Sequence, residues 1–238
     1  MCDRAVVLAG GQGTRLRPYT VVLPKPLMPL GEYPILEVII RQLAQYGFGQ
    51  VTLAVNHQAE IIKAFFHDNS RWGVQIDYSF ETKPLSTIAP LRLIANLPEH
   101  FLLMNGDVLT DLDLRKLYRS HVSENRLFTI AAARRRHTID YGVLEVDDSD
   151  LLVGFKEKPA AEYLVSMGVY VVSRRVLDLI PCDRKYGFDD LMRDLLAQRE
   201  HVHVYPHGGY WLDIGRPDDY MQAIDEFAQH RRQFLPNE

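Results

Sequence analysis

The chain has 238 residues, 47% of them hydrophobic and 24% charged, with a formal net charge of −4. That profile fits one large or two small globular domains. It gives no general basis for nucleic-acid binding, and no apolar run approaches the roughly 20 residues of a membrane span. Two cysteines, Cys2 and Cys182, argue against a disulfide framework and for a reducing compartment. The start "MCDRAVVLAGG" carries charges at positions 3 and 4 and no signal-peptide pattern, so the expected location is the cytoplasm.

Along the chain, "RAVVLAG" reads as a buried parallel strand ending in glycine. "PILEVIIRQLAQYGF" has helical spacing and stops at Gly47. "VTLAV" (51–55) is a second buried strand, "AEIIKAFFHD" a helix, "VQIDYSF" (74–80) an alternating strand and "IAPLRLIANL" a helix. "HFLLMNGD" is a strand ending at Gly106 and Asp107. The first half therefore reads β-α-β-α-β-α-β, the pattern of an open parallel sheet with right-handed crossovers and helices on both faces. In the second half, "RLFTIAAA", "YGVLEVD", "LLVGFKEK" and "SMGVYVVS" are short strands expected to extend the sheet in antiparallel or mixed fashion. "RRVLDLIP" and "FDDLMRDLLAQ" read as helices, "VHVYP" and "GYWLDIG" as strands. A closing helix "PDDYMQAIDEFAQHRRQF" has Pro217 in its first turn. No repeat or linker interrupts the pattern.

The stretch "LAGGQGTRLRPYT" (8–20) follows the first strand with three glycines in four positions and then Thr14 and Arg15. A dinucleotide fingerprint is a poor fit, because Leu16 stands where its third glycine belongs, and "VTLAV" runs into Asn56 instead of an acid. A Walker loop is also a poor fit, since no lysine follows these glycines. What remains is a backbone nest able to attract an anion, beside an arginine whose forked, permanently charged guanidinium suits phosphate oxygens. A tight turn with a surface arginine is the rival reading.

With "LPKPLMPL" and "EYPILEVII", the loop resembles the signature of the sugar-1-phosphate nucleotidylyltransferases. The resemblance continues, in family order, through "ETKPLSTIAPL", "LLMNGDVL", "YGVLEV", "FKEKP", "SMGVYV" and "YWLDIGRPDDY", from about residue 5 to about residue 225. It implies a Rossmann-like α/β fold with a mixed, mainly parallel sheet, helices on both faces and dependence on Mg²⁺. It further implies transfer of a nucleoside monophosphate from an NTP to a sugar 1-phosphate with release of pyrophosphate. The chain resembles the short members without a C-terminal β-helix. The expectation is one domain over 1–238, with a nucleotide-binding half over about 1–110 and a sugar-binding half with the closing helix over about 111–238. No nucleic-acid or membrane partner is expected, and a homo-oligomer is left open.

Such a reaction joins two polyanions, so positioning and charge neutralisation carry it. Asp107, at the carboxyl end of a strand, is placed to hold Mg²⁺ or to cap a turn. Asp213 in "YWLDIG" is an acid among apolar neighbours and needs a partner; the resemblance makes both aspartates metal ligands. Asp111 and Asp113 read as helix-start residues. Lys25, held between two prolines, is assigned by resemblance to the α-phosphate, with Arg15 as the other catalytic cation. Leu8, Ala9, Gly10, Gly11, Gly13, Thr14, Glu81, Pro84, Ser86, Thr87 and Gly106 are the expected nucleotide contacts. Tyr141, Gly142, Glu157, Lys158 and Ser166 are the expected sugar-phosphate contacts. Lys156 alternates out of phase and faces solvent. Arg134, Arg135 and Arg136 read as a solvated strand end, and His201, His203 and His207 as surface or strand residues.

The chain departs from the family pattern at five positions. Ser86 and Ala89 stand where glycines are common, and Ile88 is larger than the usual alanine; crowding of the base pocket would follow. Ser166 replaces an asparagine that touches the sugar, and Arg216 a threonine. These changes bear on substrate identity. Glu81, just before the base-contacting loop, accepts hydrogen bonds only. Guanine presents two adjacent donors to such a group, so the expected substrates are GTP and a mannose-type or heptose 1-phosphate. Glucose 1-phosphate with UTP or dTTP is the alternative, and a non-catalytic nucleotide-sugar-binding regulatory subunit is the reading from another class.

Overall fold

The computed structural model describes residues 3–56, 58–68, 71–182 and 184–236; Cys2 lies outside them. Strand β1 (Arg4–Leu8) is central. The short pair β2 (Pro29–Leu30) and β3 (Tyr33–Pro34) leads into helix α1 (Ile35–Gln45), then β4 (Gln50–Val55), α2 (Ala59–Phe65), β5 (Gln75–Phe80) and β6 (His100–Asn105). Beyond these come β7 (Val108–Thr110), α3 (Leu114–Ser123), β8 (Phe128–Thr138), β9 (Val143–Val146), β10 (Leu152–Lys156) and β11 (Ala160–Ser173). The chain closes with α4 (Phe188–Ala197), β12 (Val202–His207), β13 (Trp211–Asp213) and α5 (Pro217–Phe234).

Seven strands form the main sheet in the order β12-β8-β11-β6-β1-β4-β5. β1 is parallel to β4 and β6, β4 to β5, and β8 to β12, whereas β11 runs against β6 and β8. The mixed, mainly parallel sheet of the expected fold class is therefore present. The alternation of β1 explains its unbroken apolar run: Ala5 and Val7 enter one core cluster and Val6 the other, as expected of a strand covered on both faces. Leu36, Leu43, Leu117 and Phe227, from α1, α3 and α5, pack on the first face. Leu191 and Leu195 of α4 pack on the second, with Leu91 and Val176.

The chain winds from β1 outward to β4 and β5, then returns to place β6 on the other side of β1. Order reverses there, and in open α/β sheets ligands bind outside the carboxyl ends of the strands at such a switch point. Those ends are Leu8–Ala9 and Asn105–Gly106. Asp113 caps α3 by accepting a hydrogen bond from the Lys116 amide at 2.8 Å, and Pro217 opens α5. Among the described residues, no helix is long and apolar enough to cross a membrane.

Several expected elements differ. "IAPLRLIANL" and "RRVLDLIP" form short 3₁₀ turns, Ala89–Leu93 and Arg174–Leu179; Pro90 and the brevity of both segments leave tertiary packing to decide their geometry. "YGVLEVD" and "LLVGFKEK" do not join the main sheet. They pair with each other as the separate β9–β10 hairpin. "GYWLDIG" is strand only over Trp211–Asp213, pairing with β7. Asp111 does not start α3: it binds His207 Nε2 at 2.8 Å and accepts from Gln233 at 2.6 Å.

Candidate active site

The loop after β1 builds the site. Gly13 has φ +60, and a Cβ there would lie 2.9 Å from Thr20 Cγ2 and 3.1 Å from Lys25 Cβ. Glycine is required for both reasons. Thr20 Oγ1 donates to the Gly13 carbonyl at 2.6 Å, tying the loop to the segment that carries Lys25. Across the switch point, Gly106 N–H donates to the Leu8 carbonyl at 2.9 Å, and a Cβ on Gly106 would lie 2.9 Å from that same oxygen. The missing side chain lets the end of β6 close on the end of β1 and so brings Asp107 to the glycine loop.

Asp213 reaches the same place by strand pairing. In the β7–β13 register it lies opposite Val108, and the Ile214 amide donates to the Asp107 carbonyl at 2.9 Å. The indole N–H of Trp211 anchors β13 to the Met167 carbonyl at 2.9 Å. Burial, then the charge of Asp107, raises the Asp213 carboxyl above its ordinary range, while Lys25 and Arg15 pull it down. The expected apolar setting of Asp213 is therefore corrected: it lies within reach of two cations and a second carboxylate. Arg15 and Asp213 flank Gly215, whose Cβ would lie 3.2 Å from the Arg15 Nη2 and 3.2 Å from Asp213 Oδ2.

Lys25 is buried and pairs with Asp107 Oδ2. The other oxygen, Asp107 Oδ1, is buried with no hydrogen-bond partner. A buried carboxylate oxygen left without a donor is costly unless a cation completes it. Asp107 Oδ1, with the Asp213 carboxylate close enough to feel its charge, suits a hard divalent ion that takes its remaining ligands from water and substrate. Among the described residues, no group of three or more His, Cys, Asp or Glu side chains forms a metal cage.

Two cavities meet at the glycine loop. One, of ≈ 260 Å³, is lined by Leu8, Gly10, Asn56, Glu81, Pro84, Ser86 and Thr87. The other, of ≈ 270 Å³, is lined by Thr14, Arg15, Lys25, Asp107 and Gly215. Gly11 and Gln12 border both. The first cavity has one half-buried carboxylate, Glu81, raised by burial and partly lowered by the Leu85 amide, which donates to Oε2 at 3.1 Å. A Cβ on Gly10 would lie 3.4 Å from Glu81 Oε1. Thr87 Oγ1 accepts from the Phe188 amide at 3.0 Å, closing the outer wall against α4.

The structure thus brings most of the expected nucleotide residues, the two cations Arg15 and Lys25 and both aspartates together at the carboxyl ends of the central strands. The expected sugar contacts are split. Ser166 lies at the irregularity in β11 and donates to the Tyr170 hydroxyl at 3.1 Å. Gly142 and Glu157 adjoin each other, with a Gly142 Cβ falling 3.4 Å from Glu157 Oε2. Phe155 already fills the space over Gly142, at 2.6 Å from that Cβ, so this glycine serves hairpin packing. Tyr141, Glu157 and Lys158 stand exposed on the arm that carries the hairpin and line neither cavity. Lys156 is exposed, as expected, and pairs with Glu145. Ile88 and Ala89 turn into the second core cluster and do not line the first cavity, so they do not crowd it.

Sequence reasoning passed over Asn56, Gln12 and Tyr170. Asn56 follows the carboxyl end of β4 and donates from its side chain to the Gly10 carbonyl; its position at a strand end was the available signal. Tyr170 is buried, stacked on Phe188 with centroids 4.9 Å apart. Burial raises its phenol; the Ser166 hydrogen bond opposes this, and Asp107 and Asp213 add to it.

A model of the family described as nucleotidyl transferase matches residues 4–230. The chain belongs to the nucleotidyl transferase family. It is 34% identical to a UTP–glucose-1-phosphate uridylyltransferase of Synechocystis, over 93% of this chain and 62% of the relative. It is 33% identical to a mannose-1-phosphate guanylyltransferase of Mycobacterium tuberculosis, over 94% of this chain and 64% of the relative. The chain therefore spans a little under two thirds of the length of these curated relatives. Among solved structures it resembles HddC from Yersinia pseudotuberculosis, with TM-score 0.73 and 25% identity over 95% of this chain and 100% of that one. A second HddC structure, complexed with GMP-PN, superposes with TM-score 0.72 at 25% identity.

Proposed function

We propose that this nucleotidyl transferase moves a nucleoside monophosphate from an NTP to a sugar 1-phosphate. An oxygen of the sugar phosphate forms a bond to the α-phosphorus, the α–β phosphoanhydride bond breaks, and pyrophosphate leaves. The observation that carries this reading is the pair of cavities joined at Gly11 and Gln12. One has a half-buried carboxylate and small side chains suited to a nucleoside. The other has Arg15, Lys25 and Asp107 where a polyphosphate chain would continue.

In this reading Lys25 leaves Asp107 for the α-phosphate and meets the charge that develops there. Arg15 grips the departing pyrophosphate through its fork. The loop amides from Gly11 to Gly13 orient the triphosphate without side chains in the way. Asp107 and Asp213 would hold Mg²⁺, which when bound neutralises phosphate charge and favours in-line displacement. Lys158 and Glu157 would receive the sugar phosphate and sugar hydroxyls from the arm.

GTP is the proposed donor and a mannose-type or heptose 1-phosphate the proposed acceptor. Support comes from Glu81 in the first cavity and from the guanylyltransferase relatives. A uridylyl reading has its own support in the Synechocystis relative. A regulatory subunit is disfavoured, since Arg15, Lys25, Asp107, Lys158 and Asp213 are all retained. The test is a pyrophosphate-release assay with four NTPs against a panel of sugar 1-phosphates, with and without chelator. Turnover that needs Mg²⁺ and is fastest with GTP supports the proposal; no turnover with any pair favours the regulatory reading.

A further inference from the structure

Three parallel strands, β1, β4 and β5, end side by side at the first cavity. Their last register partners are Leu8 with Ala54 and Val55 with Phe80. The Ala9 amide still donates to the Ala54 carbonyl at 2.8 Å, and the Glu81 amide to the Val55 carbonyl at 3.0 Å. The ladders thus run on past the strands and hold the ends that carry Gly10, Asn56 and Glu81 next to one another. All three residues line the cavity.

Gly10 has no side chain, and two polar groups converge beside it. A Cβ there would lie 3.4 Å from Asn56 Nδ2 and 3.4 Å from Glu81 Oε1. The sense of the Asn56 amide follows from its partner. The Gly10 carbonyl can only accept, so the nitrogen of the amide faces it, not Oδ1. That bond uses one of the two N–H groups on Nδ2, and the second has no acceptor among the described residues. Glu81 is half committed in the same way. Its Oε2 accepts from the Leu85 amide at 3.1 Å, and its Oε1 has no donor among the described residues. The cavity wall therefore offers one open donor close to one open acceptor.

We infer that Asn56 determines specificity for the base, donating its second N–H to the keto oxygen of guanine while Glu81 accepts from the adjacent ring N–H. The inference rests on the nucleotidyl-transfer reading, with the nucleoside in the first cavity. Along one edge of guanine stand a keto oxygen, a ring N–H and an amino group, in that order. Asn56 and Glu81 match the first two. Adenine reverses them, with an amino group and then a bare ring nitrogen, so donor meets donor and acceptor meets acceptor. Asn56 thus separates keto bases from amino bases. Glu81 alone cannot do so, because the adenine amino group also donates. The same amide braces the glycine loop through Gly10, so its loss weakens every nucleotide to some degree. Only the ratio between bases isolates the reading of the keto oxygen.

Isothermal titration calorimetry of the full chain with GTP, ITP and ATP, each with Mg²⁺, tests this without requiring turnover. ITP keeps the keto oxygen and ring N–H and lacks only the amino group. Wild type should bind GTP and ITP at least about tenfold more tightly than ATP, the scale of one hydrogen bond left unmade. Asn56→Leu, similar in shape but without a donor, should shrink the ITP-over-ATP ratio about tenfold. Asn56→Asp, with an acceptor in place of the donor, should shrink it at least as far. A brace alone would weaken all three nucleotides by a common factor; an unmoved ratio in folded variants overturns the inference. A wild type that binds ATP as tightly as ITP overturns it without any variant. The expected binding pattern with no pyrophosphate release would strike the transferase reading and leave the Asn56 assignment standing.

Discussion

Lys25 and Asp107, 82 residues apart in the chain, form an ion pair beneath the glycine loop. The pair joins the segment after β1 to the end of β6, and leaves the second Asp107 oxygen buried and without a partner. Under the proposed function, the lysine exchanges that aspartate for a substrate phosphate.

Removing either member should therefore act on chemistry. Asp107→Ala and Asp213→Ala are each expected to lower kcat by about 10²-fold or more, and Lys25→Ala by a similar factor, the scale of losing a charge stabiliser at a reacting centre. Steady-state kinetics at saturating Mg²⁺, alongside thermal melts to verify folding, measure this. Near-normal turnover in a folded Asp213→Ala enzyme would remove Asp213 from the cation site.

Glu81 tests the base. Its Oε2 already accepts from the Leu85 amide, so Oε1 has the freer lone pairs for a guanine edge. Glu81→Gln puts an amide donor in place of one carboxylate oxygen and should narrow the preference for GTP over dTTP by about tenfold to a hundredfold in kcat/KM, the worth of one or two unmade hydrogen bonds. A wild type that prefers dTTP, or a preference untouched by the substitution, would eliminate Glu81 as the selector.

Ser86 has φ +74, in the left-handed region where side chains are disfavoured. Glycine removes about 1–2 kcal/mol of that cost and returns part of it as unfolded-state entropy. Ser86→Gly is thus expected to raise Tm by about 1–4 °C in a chain of this size. A lowered Tm in differential scanning calorimetry would mean that the Ser86 hydroxyl stabilises the loop more than its backbone strains it.

Much of the fold was legible because buried parallel strands announce themselves. "RAVVL", "VTLAV" and "HFLLMN" are continuous apolar runs, whereas the reversal of strand order at β1 emerged only in the folded sheet. The 3₁₀ turns were not legible, since apolar residues at 89–93 and 174–179 pack on the sheet whichever helix type they adopt. Nor was the fate of β9–β10, because alternation marks a strand without naming its neighbour. Within the site, the cations and aspartates stood in quotable motifs. Tyr170 and Asn56 did not, as a buried tyrosine and a strand-end asparagine have ordinary structural uses.

A histidine pair makes stability depend on acid. His100 Nδ1 contacts His121 Nε2 at 3.1 Å, and His121 Nδ1 contacts Thr129 Oγ1 at 2.8 Å, all buried. Burial, then His100 and nearby cations, lowers His121 to about 3, and burial lowers His100 as well. Unfolding frees both to take protons near 6.5, so the stability from keeping them neutral is full above about pH 6.5 and declines as pH falls toward 3. Urea melts at pH 7 and pH 5 should show this loss in wild type, and His121→Gln should reduce the pH-dependent part by about 2 kcal/mol. An identical pH slope in the variant would contradict the assignment.

The central claim concerns which bond breaks, and isotope tracing reads it directly. With GTP labelled at the α-phosphorus, Mg²⁺ and mannose 1-phosphate, a single turnover should move the label into a nucleoside diphosphate sugar, while label at the γ-phosphorus appears in pyrophosphate. The claim would be contradicted if, across the sugar 1-phosphate panel and all four labelled NTPs, the α-label never entered a sugar product, or if γ-label emerged as inorganic phosphate without pyrophosphate.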